Sequence, residues 1–416
     1  MKLEFGYGRG KQQAEISERN LLGILKPNVI RAERSQEDEV QYALEHPIGS
    51  SMLNDIVKPG EKIVLITSDI TRPMPSQLVL TLLIRQMYDA GIAPEDITVV
   101  FALGSHRKQT DQEKRSLVGD QIFDQISCID ADPEDCICMG RTSRGTPVDI
   151  FRPVAKADRR ICLGNIEYHY FAGYSGGAKA IMPGVSTREA IQANHRMMIE
   201  ECAAAGKIIG NPIREDIDEA GKICGIDFIV NVILDEHKYI LKAVAGDFIK
   251  AHRAGCVFID QIYRCSIPRK ADIVLVSQGG MPKDLNLYQT QKALDNAVQA
   301  VRQGGIIILI GSCLEGMGEP VFEEWMISAK EPDDLISRIH REFKLGGHKA
   351  AAIAMTLKKA EICLVSELDP SFVQRIFMTP MGETQKALDY AFQKLGKDAT
   401  VLAMPYGGST LPYITP

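Results

Sequence analysis

The 416-residue sequence predicts an α/β protein built of two α/β domains with mostly parallel sheets. Three observations carry that expectation. The length exceeds the roughly 250–300 residues that a single hydrophobic core serves. Short β-branched runs alternate with amphipathic stretches of helical period. The alternation breaks once, at YRCSIPRKAD (263–272), where a proline follows a long helical pattern and precedes a fresh strand-like run. A boundary there gives domains 1–265 and 266–416.

In the first domain the strand-like runs are KIVLITS (62–68), DITVVFAL (96–103), RRICLGNI (159–166) and DFIVNVIL (227–234). In the second they are DIVLVS (272–277), GGIIILIGS (304–312), EICLVS (361–366) and ATVLAMP (399–405). Nearly continuous apolar runs of this length suit strands covered on both faces, as in parallel sheets. Helical patterns lie at 76–90, 187–203, 247–262, 287–302, 333–343 and 382–395. There is no internal repeat and no low-complexity tract.

Composition narrows the function classes. Apolar residues make up 45% and charged residues 25%, which is the balance of a globular protein rather than a disordered one. The net charge of −6, with no block of five Lys or Arg, offers no electrostatic footprint for nucleic acid or anionic membrane. The start, MKLEFGYGRGKQQAEI, lacks the apolar core of a signal peptide, and no apolar run approaches the roughly 20 residues of a membrane helix. A cytoplasmic protein acting on small molecules is expected. The ten cysteines are scattered, apart from Cys136 and Cys138, and C-x-C alone is neither a zinc knuckle nor a disulfide framework.

Candidate chemistry sits just past the strand-like runs. In open α/β sheets ligands bind beyond the carboxyl ends of the strands. There KIVLITS runs into DITRP, placing Asp69 and Arg72, and a guanidinium suits a carboxylate because its donors engage both oxygens. A structural Asp69–Arg72 surface pair is an equal alternative. DITVVFAL empties into GSHRKQ, placing His106, and RRICLGNI into EYHYFAG, placing His169. One histidine after a strand is ordinarily a turn residue, but two, after different strands, suit proton transfer near neutral pH.

The turn GYSGGAKA (173–180) invites comparison with a phosphate-binding loop. A Walker loop needs a glycine directly before the lysine and a hydroxyl directly after it. Here Ala178 separates Gly177 from Lys179, and Ala180 replaces the hydroxyl. That chemistry is absent; Gly176 and Gly177 could still offer backbone N–H groups to an anion, and a flexible turn with a surface lysine is the ordinary alternative. Downstream, Ser186 with Glu189 reads as a capping box for a helix on which Ile191, His195 and Met198 share a face. His195 therefore points inward, as a satisfied core histidine or as a metal ligand. In the second domain Gln289 and Lys292 share a face near a helix start, where a lysine opposes the helix dipole and a bound carboxylate would account for it. A further glycine turn, YGGST, follows ATVLAMP. His46, His237, His252, His340 and His348 lie in charged surroundings and read as solvent-facing.

Taken together, D-x-T-R-P at 69–73, G-S-H-R at 104–107, H-x-F-A-G-x-S-G-G-x-K at 169–179, N-H at 194–195 and Y-Q-T-x-K at 288–292 resemble the lactate racemase family. The likeness runs from about residue 68 to 292, with the YGG turn extending it. It implies a racemase or epimerase of a 2-hydroxy acid that uses a nickel-pincer nucleotide, a pyridinium bis-thio-carboxylic acid mononucleotide made by cofactor-maturation enzymes. By the same resemblance Lys179 would form the covalent tether and His195 would be the protein ligand to Ni(II). His106 and His169 would be the acid and base pair. Arg72 and Lys292, assisted by Tyr288 and Gln289, would hold the substrate. Asp69 would orient Arg72 or contact the cofactor, and Gly176 and Gly177 would lie against the nucleotide. The active site would occupy the cleft between the domains. Two other classes stand beside this: a non-catalytic nucleotide- or anion-binding protein, and a conventional metal-dependent hydrolase built on the three histidines.

Overall fold

The computed structural model describes residues 1–235 and 237–414. The chain divides into two compact units, one of Ile30–Asp260 and one of Met1–Val29 with Gln261–Pro416.

The unit Ile30–Asp260 is built on a six-stranded sheet in the order Ile240–Gly246, Phe228–Leu234, Arg159–Asn165, Ile63–Ser68, Ile97–Ala102, Ser127–Asp130. All neighbours pair in parallel except the edge pair Phe228–Leu234 with Ile240–Gly246. The chain winds outward from Ile63–Ser68 through Ile97–Ala102, then returns to lay Arg159–Asn165 on the other side of Ile63–Ser68. Crevices open where the winding direction reverses, so the carboxyl ends of these strands are where a ligand site is expected. Five consecutive residues of Ile63–Ser68 are buried, which is why this run shows no alternation. Helix Ser76–Asp89 packs on the sheet through Val79, Leu80, Leu83, Ile84 and Met87, the spacing of one helical face.

The second unit carries another six-stranded sheet, parallel throughout, in the order Thr379–Met381, Ala360–Val365, Val301–Ile310, Ala271–Ser277, Val401–Met404, Leu21–Ile24. Its edge strand, Leu21–Ile24, comes from the start of the chain. Ahead of it the hairpin of Lys2–Tyr7 and Gly10–Glu15 adds Leu3, Phe5, Ala14 and Ile16 to this unit's core. Such pairing between opposite ends of a chain leaves no trace in local periodicity.

All eight strand-like runs are strands. The helical patterns at 76–90, 247–262, 333–343 and 382–395 also form. The pattern at 187–203 stops earlier: the α-helix is Arg188–His195, followed by a 3₁₀ turn Arg196–Ile199. Its cap is Thr187, whose hydroxyl accepts from the Ala190 N–H, while the Ser186 hydroxyl donates to the Ile181 carbonyl. Among the described residues no helix is long and apolar enough to cross a membrane.

Candidate active site

Beyond the carboxyl end of Ile63–Ser68, Asp69 is buried to 2% exposure. Its carboxylate does not meet Arg72. One oxygen, Oδ2, lies 2.5 Å from His106 Nδ1, and the other, Oδ1, accepts from the Thr71 hydroxyl at 2.7 Å and the Thr71 N–H at 3.1 Å. Burial acts to raise the Asp69 carboxyl, but these hydrogen bonds and the imidazole charge outweigh it and hold it below the usual carboxylate range. Arg72 donates only its backbone N–H, to the Asp69 carbonyl, and its side chain is exposed. The short Asp69–Arg72 spacing suggested a pair; the fold instead brings the next strand's loop alongside and gives the carboxylate a histidine. The two loops are tied a second time by the Gln109 amide oxygen, which accepts from the Ile70 N–H.

The stretch 166–184 follows strand Arg159–Asn165. Tyr168–His169 doubles back on Gly173–Tyr174 as a two-residue antiparallel pair. The turn passes close beneath other backbone: a Cβ on Gly173 would sit 2.0 Å from the Lys207 carbonyl oxygen, and its φ is +78°. Phe171, 3% exposed, is the hub. Its ring centroid lies 4.4 Å from that of His169 and 4.9 Å from that of His195, both edge-on, and the Lys179 ammonium is 6.0 Å from it. Three of the residues singled out in the sequence therefore converge on one aromatic ring. Tyr170 stacks on His169, whereas the Tyr168 and Tyr174 hydroxyls both donate to Asp260 at 2.7 Å and fix the hairpin.

Buried polar groups hold this loop from below. Arg214, fully buried, donates to the carbonyls of Ala172 and Tyr174. The Asn211 amide donates to the Phe171 carbonyl at 2.8 Å. The His252 ring engages the Ser175 carbonyl at 2.8 Å through Nε2, and the Asn231 side-chain oxygen accepts from the Gly177 N–H at 2.8 Å. The glycines are required here: a Cβ on Gly176 would come within 2.7 Å of Asn231 Oδ1, and one on Gly177 within 2.9 Å of His252 Cγ, at φ of +74° and +60°. His252, expected at the surface, is completely buried.

The electrostatics follow from this construction. Burial and the nearby charges of Arg214 and Arg72 hold the Lys179 amine well below the usual lysine range. No carboxylate lies within ion-pair distance of it among the described residues. Burial, then the charges of Lys179, His195, Arg72 and Arg214, likewise keep the His169 imidazole neutral well below the usual histidine range. His169 Nδ1 accepts from the Ala172 N–H at 3.3 Å, so the neutral ring carries its proton on Nε2. His195, 7% exposed, closes its helix with Nδ1 3.0 Å from the Asn194 side-chain oxygen.

Tyr288, Gln289 and Lys292 belong to the other unit. Helices Leu287–Thr290 and Lys292–Ala300 meet at Gln291, and Asn286 caps the first through Gln289 N–H. Beneath them lies a residue the sequence reading missed. Lys349, 6% exposed, donates to the Tyr288 carbonyl at 2.6 Å and sits 3.9 Å from the centroid of its ring. Burial and the charge of Lys292 push Lys349 down, and burial pushes Asp295 up. Its alanine-rich surroundings, GHKAAAIAM, were the only available signal. The adjacent His348, also read as solvent-facing, is buried. The YGG turn packs tightly: a Cβ on Gly407 would meet Val276 at 2.3 Å.

Among the described residues no three His, Cys, Asp or Glu side chains cluster so as to hold a metal. A metal bound at His195 would need its remaining ligands from outside the described residues, and a lysine amine with no carboxylate in ion-pair distance among those residues stands on the same aromatic ring. The donor set thus fits a tethered metal–organic group.

Comparison with known proteins bears on the whole chain. The Lactate racemase N-terminal domain model matches residues 7–206, and the Lactate racemase C-terminal domain model matches 267–411. The chain is 32% identical to lactate racemase of Thermoanaerobacterium thermosaccharolyticum, over 98% of each chain. It is 29% identical to lactate racemase of Lactiplantibacillus plantarum, over 97% of this chain and 98% of the relative. The solved structure of the lactate racemase apoprotein from Thermoanaerobacterium thermosaccharolyticum superposes with a TM-score of 0.87 at 32% identity, covering 99% of this chain and 100% of that one. A Thermotoga maritima protein with a TM-score of 0.62 and 17% identity, covering 93% of this chain, shares the fold.

Proposed function

Because the chain belongs to the lactate racemase family, we propose that it racemises or epimerises a 2-hydroxy acid with a nickel-pincer nucleotide tethered to Lys179. The observation that carries the reading is the convergence on Phe171 of His169, His195 and Lys179, with no carboxylate within ion-pair distance of Lys179 among the described residues.

In this reading Lys179 holds the cofactor through an amide-type bond, its amine shifted toward the unprotonated form by burial and by the charges of Arg214 and Arg72. His195 ligates nickel, and the backbone at Gly176 and Gly177 lies against the nucleotide. When bound, the group supplies a reversible acceptor for a hydride from the substrate α-carbon. Everything else falls to side chains. Arg72 grips the substrate carboxylate with its fork of donors, and Tyr288, Gln289 and Lys292 contribute to substrate binding. His106, with Nδ1–H held by Asp69, presents Nε2 as the base for the hydroxyl proton, so the substrate becomes a 2-oxo acid. His169 serves the hydroxyl of the mirror-image product; its resting form bears the proton on Nε2, so acting as a base there requires that proton to move to Nδ1 in place of the Ala172 N–H contact. By microscopic reversibility the base for one enantiomer is the acid for the other.

Protein made beside the maturation enzymes is expected to carry about one nickel per chain, since one histidine ligand serves one ion. The peptide bearing Lys179 should show a mass increase. Single enantiomers of lactate, malate, aromatic lactates and sugar acids, followed by optical rotation, identify the substrate. Full activity without nickel, or in a Lys179→Ala protein, would sink the proposal.

A further inference from the structure

Behind His195 runs a chain of buried polar groups. Asn194 and Asp216 are wholly buried, and Thr142 nearly so. The Thr146 N–H donates to the Thr142 hydroxyl oxygen at 3.1 Å, and the Thr142 hydroxyl donates to Asp216 Oδ1 at 2.5 Å. The Asn194 amide nitrogen donates to Asp216 Oδ2 at 2.7 Å and, at 3.4 Å, to the Ile213 carbonyl. The Asn194 oxygen faces His195 Nδ1. Asp216 has no cation within ion-pair distance among the described residues. A buried carboxylate without a countercharge costs several kcal/mol unless its hydrogen bonds compensate, and here those bonds come from Thr142 and Asn194.

Hydrogen-bond arithmetic gives it a purpose. A backbone N–H only donates, so the one hydroxyl hydrogen of Thr142 must go to Asp216. A carboxylate and a backbone carbonyl only accept, so both Asp216 and Ile213 demand the NH₂ end of Asn194. The amide is therefore fixed with its oxygen toward His195, and that oxygen can only accept. We infer that Asp216, acting through Asn194, is a positioning residue that locks His195 as the Nδ1–H tautomer and so presents the Nε2 lone pair for ligation. The inference rests on the reading of His195 as the nickel ligand for its purpose, but the tautomer itself is set by this chain alone.

Asp216→Asn reverses the relay. Thr142 still must donate to the side-chain oxygen at position 216, which turns the new NH₂ toward Asn194. The short bond at position 216, 2.7 Å, outweighs the 3.4 Å contact to the Ile213 carbonyl, so Asn194 then turns its own NH₂ to His195, and the histidine accepts at Nδ1 and carries its proton on Nε2. The test is ring ¹⁵N–¹³C correlation spectroscopy on the full chain labelled at histidine and expressed without the maturation enzymes, with the His195 signal assigned by its loss in His195→Gln. Nδ1–H in the wild type and Nε2–H in Asp216→Asn support the inference. Nε2–H in the wild type, or an unchanged tautomer in Asp216→Asn, overturns it. Should Asp216→Asn fail to fold, Asn194→Leu removes the acceptor and should lower the Nδ1–H fraction; a persistent pure Nδ1–H form overturns the inference equally. In cofactor-loaded protein, Asp216→Asn should lose nickel to a chelator about 10- to 100-fold faster than the wild type, the usual effect of removing a partner behind a metal-bound histidine. A wild type bearing neither nickel nor a Lys179 adduct would refute the functional reading while leaving the tautomer result intact.

Discussion

Replacing Asp69 by asparagine is the sharpest single perturbation of the proposed proton chemistry, because the geometry dictates how the amide must sit. Thr71 directs two donors, its hydroxyl at 2.7 Å and its N–H at 3.1 Å, at Asp69 Oδ1. In Asp69→Asn that position must remain an oxygen. The NH₂ then replaces Oδ2, which now lies 2.5 Å from His106 Nδ1. An NH₂ there forces His106 to accept at Nδ1 and to carry its proton on Nε2, the nitrogen that should be the base. The side chain stays the same size and the fold loses little. Where the equivalent swap has been made in a Ser–His–Asp triad, the wrong tautomer costs about 10⁴ in kcat. His106 is 24% exposed at its side chain, so water can assist part of the population, and a loss of about 10²–10⁴ is expected, or about 2.7–5.5 kcal/mol of barrier. The assay is the initial rate of racemisation of the preferred enantiomer at saturation, on protein matched for nickel content and thermal midpoint. A kcat within threefold of the wild type in Asp69→Asn, with folding and nickel intact, would refute the assignment of His106 as a base oriented by Asp69.

The remaining predictions test neighbouring claims. His348 is buried and neutral, its imidazole pushed down to about 3 by burial and by Lys349. Above the unfolded value of about 6.5 neither state is protonated, but between about 6.5 and 3 only the unfolded chain takes the proton, so stability falls as pH falls. His348→Leu should therefore lessen acid sensitivity: its stability relative to wild type, from urea midpoints of the transition, should improve by about 2 kcal/mol between pH 7 and pH 5, and a pH-independent difference would contradict this. Gly177→Ala forces a φ of +60° on an L-residue and drives a Cβ to 2.9 Å from His252. It should cost about 2–5 kcal/mol in chemical denaturation, strain and overpacking together, and a neutral effect would mean that the loop relaxes freely. Lys349→Met removes the charge-assisted bond to the Tyr288 carbonyl, worth about 1.5–3 kcal/mol. KM for the hydroxy acid should rise about tenfold or more with a smaller change in kcat, and an unchanged KM would argue against Lys349 as a prop for the 288–292 segment.

The sheets were legible because apolar runs of parallel strands are long and buried on both faces, and all eight are present as read. The position of Asp69, His106 and His169 beyond strand ends followed from the same rule. What the sequence concealed has a common cause in contacts between distant residues. The edge strand Leu21–Ile24 pairs with Val401–Met404, and no local period encodes that. Asp69 looked like a partner for Arg72, three residues on, until the loop after the neighbouring strand supplied His106. His252 and His348 were misread because charged sequence neighbours say nothing about which way a helix faces: His252 turns inward to the Ser175 carbonyl while Arg253 reaches Asp218. Lys349 and Asp216 lacked any motif, since their roles rest on carbonyls and amides brought to them by the fold.

Arg214 joins the architecture of the 166–184 loop to its chemistry, and the two contributions can be separated. Its guanidinium donates to the Ala172 and Tyr174 carbonyls and stands near Asp218, with Nη1 3.6 Å from that carboxylate. The same charge is the largest neighbouring influence that depresses the Lys179 amine, second only to burial. Arg214→Met keeps most of the aliphatic volume but removes both. Losing the two carbonyl bonds should cost about 3–6 kcal/mol if each is worth about 1.5–3. Losing the charge should let the Lys179 pKa rise part of the way back, so that at pH 7.5 a smaller fraction of the amine is neutral and reactive. In the cofactor-free chain, the labelling rate of Lys179 by an amine-selective acylating reagent, read on its tryptic peptide, should therefore fall at pH 7.5. It should recover as the pH is raised, because the neutral amine is regained. A destabilised loop without the electrostatic change would behave oppositely, since greater exposure speeds labelling at every pH. Faster labelling at pH 7.5 in a folded Arg214→Met protein would show that burial alone tunes the lysine and that Arg214 is there only to hold the loop.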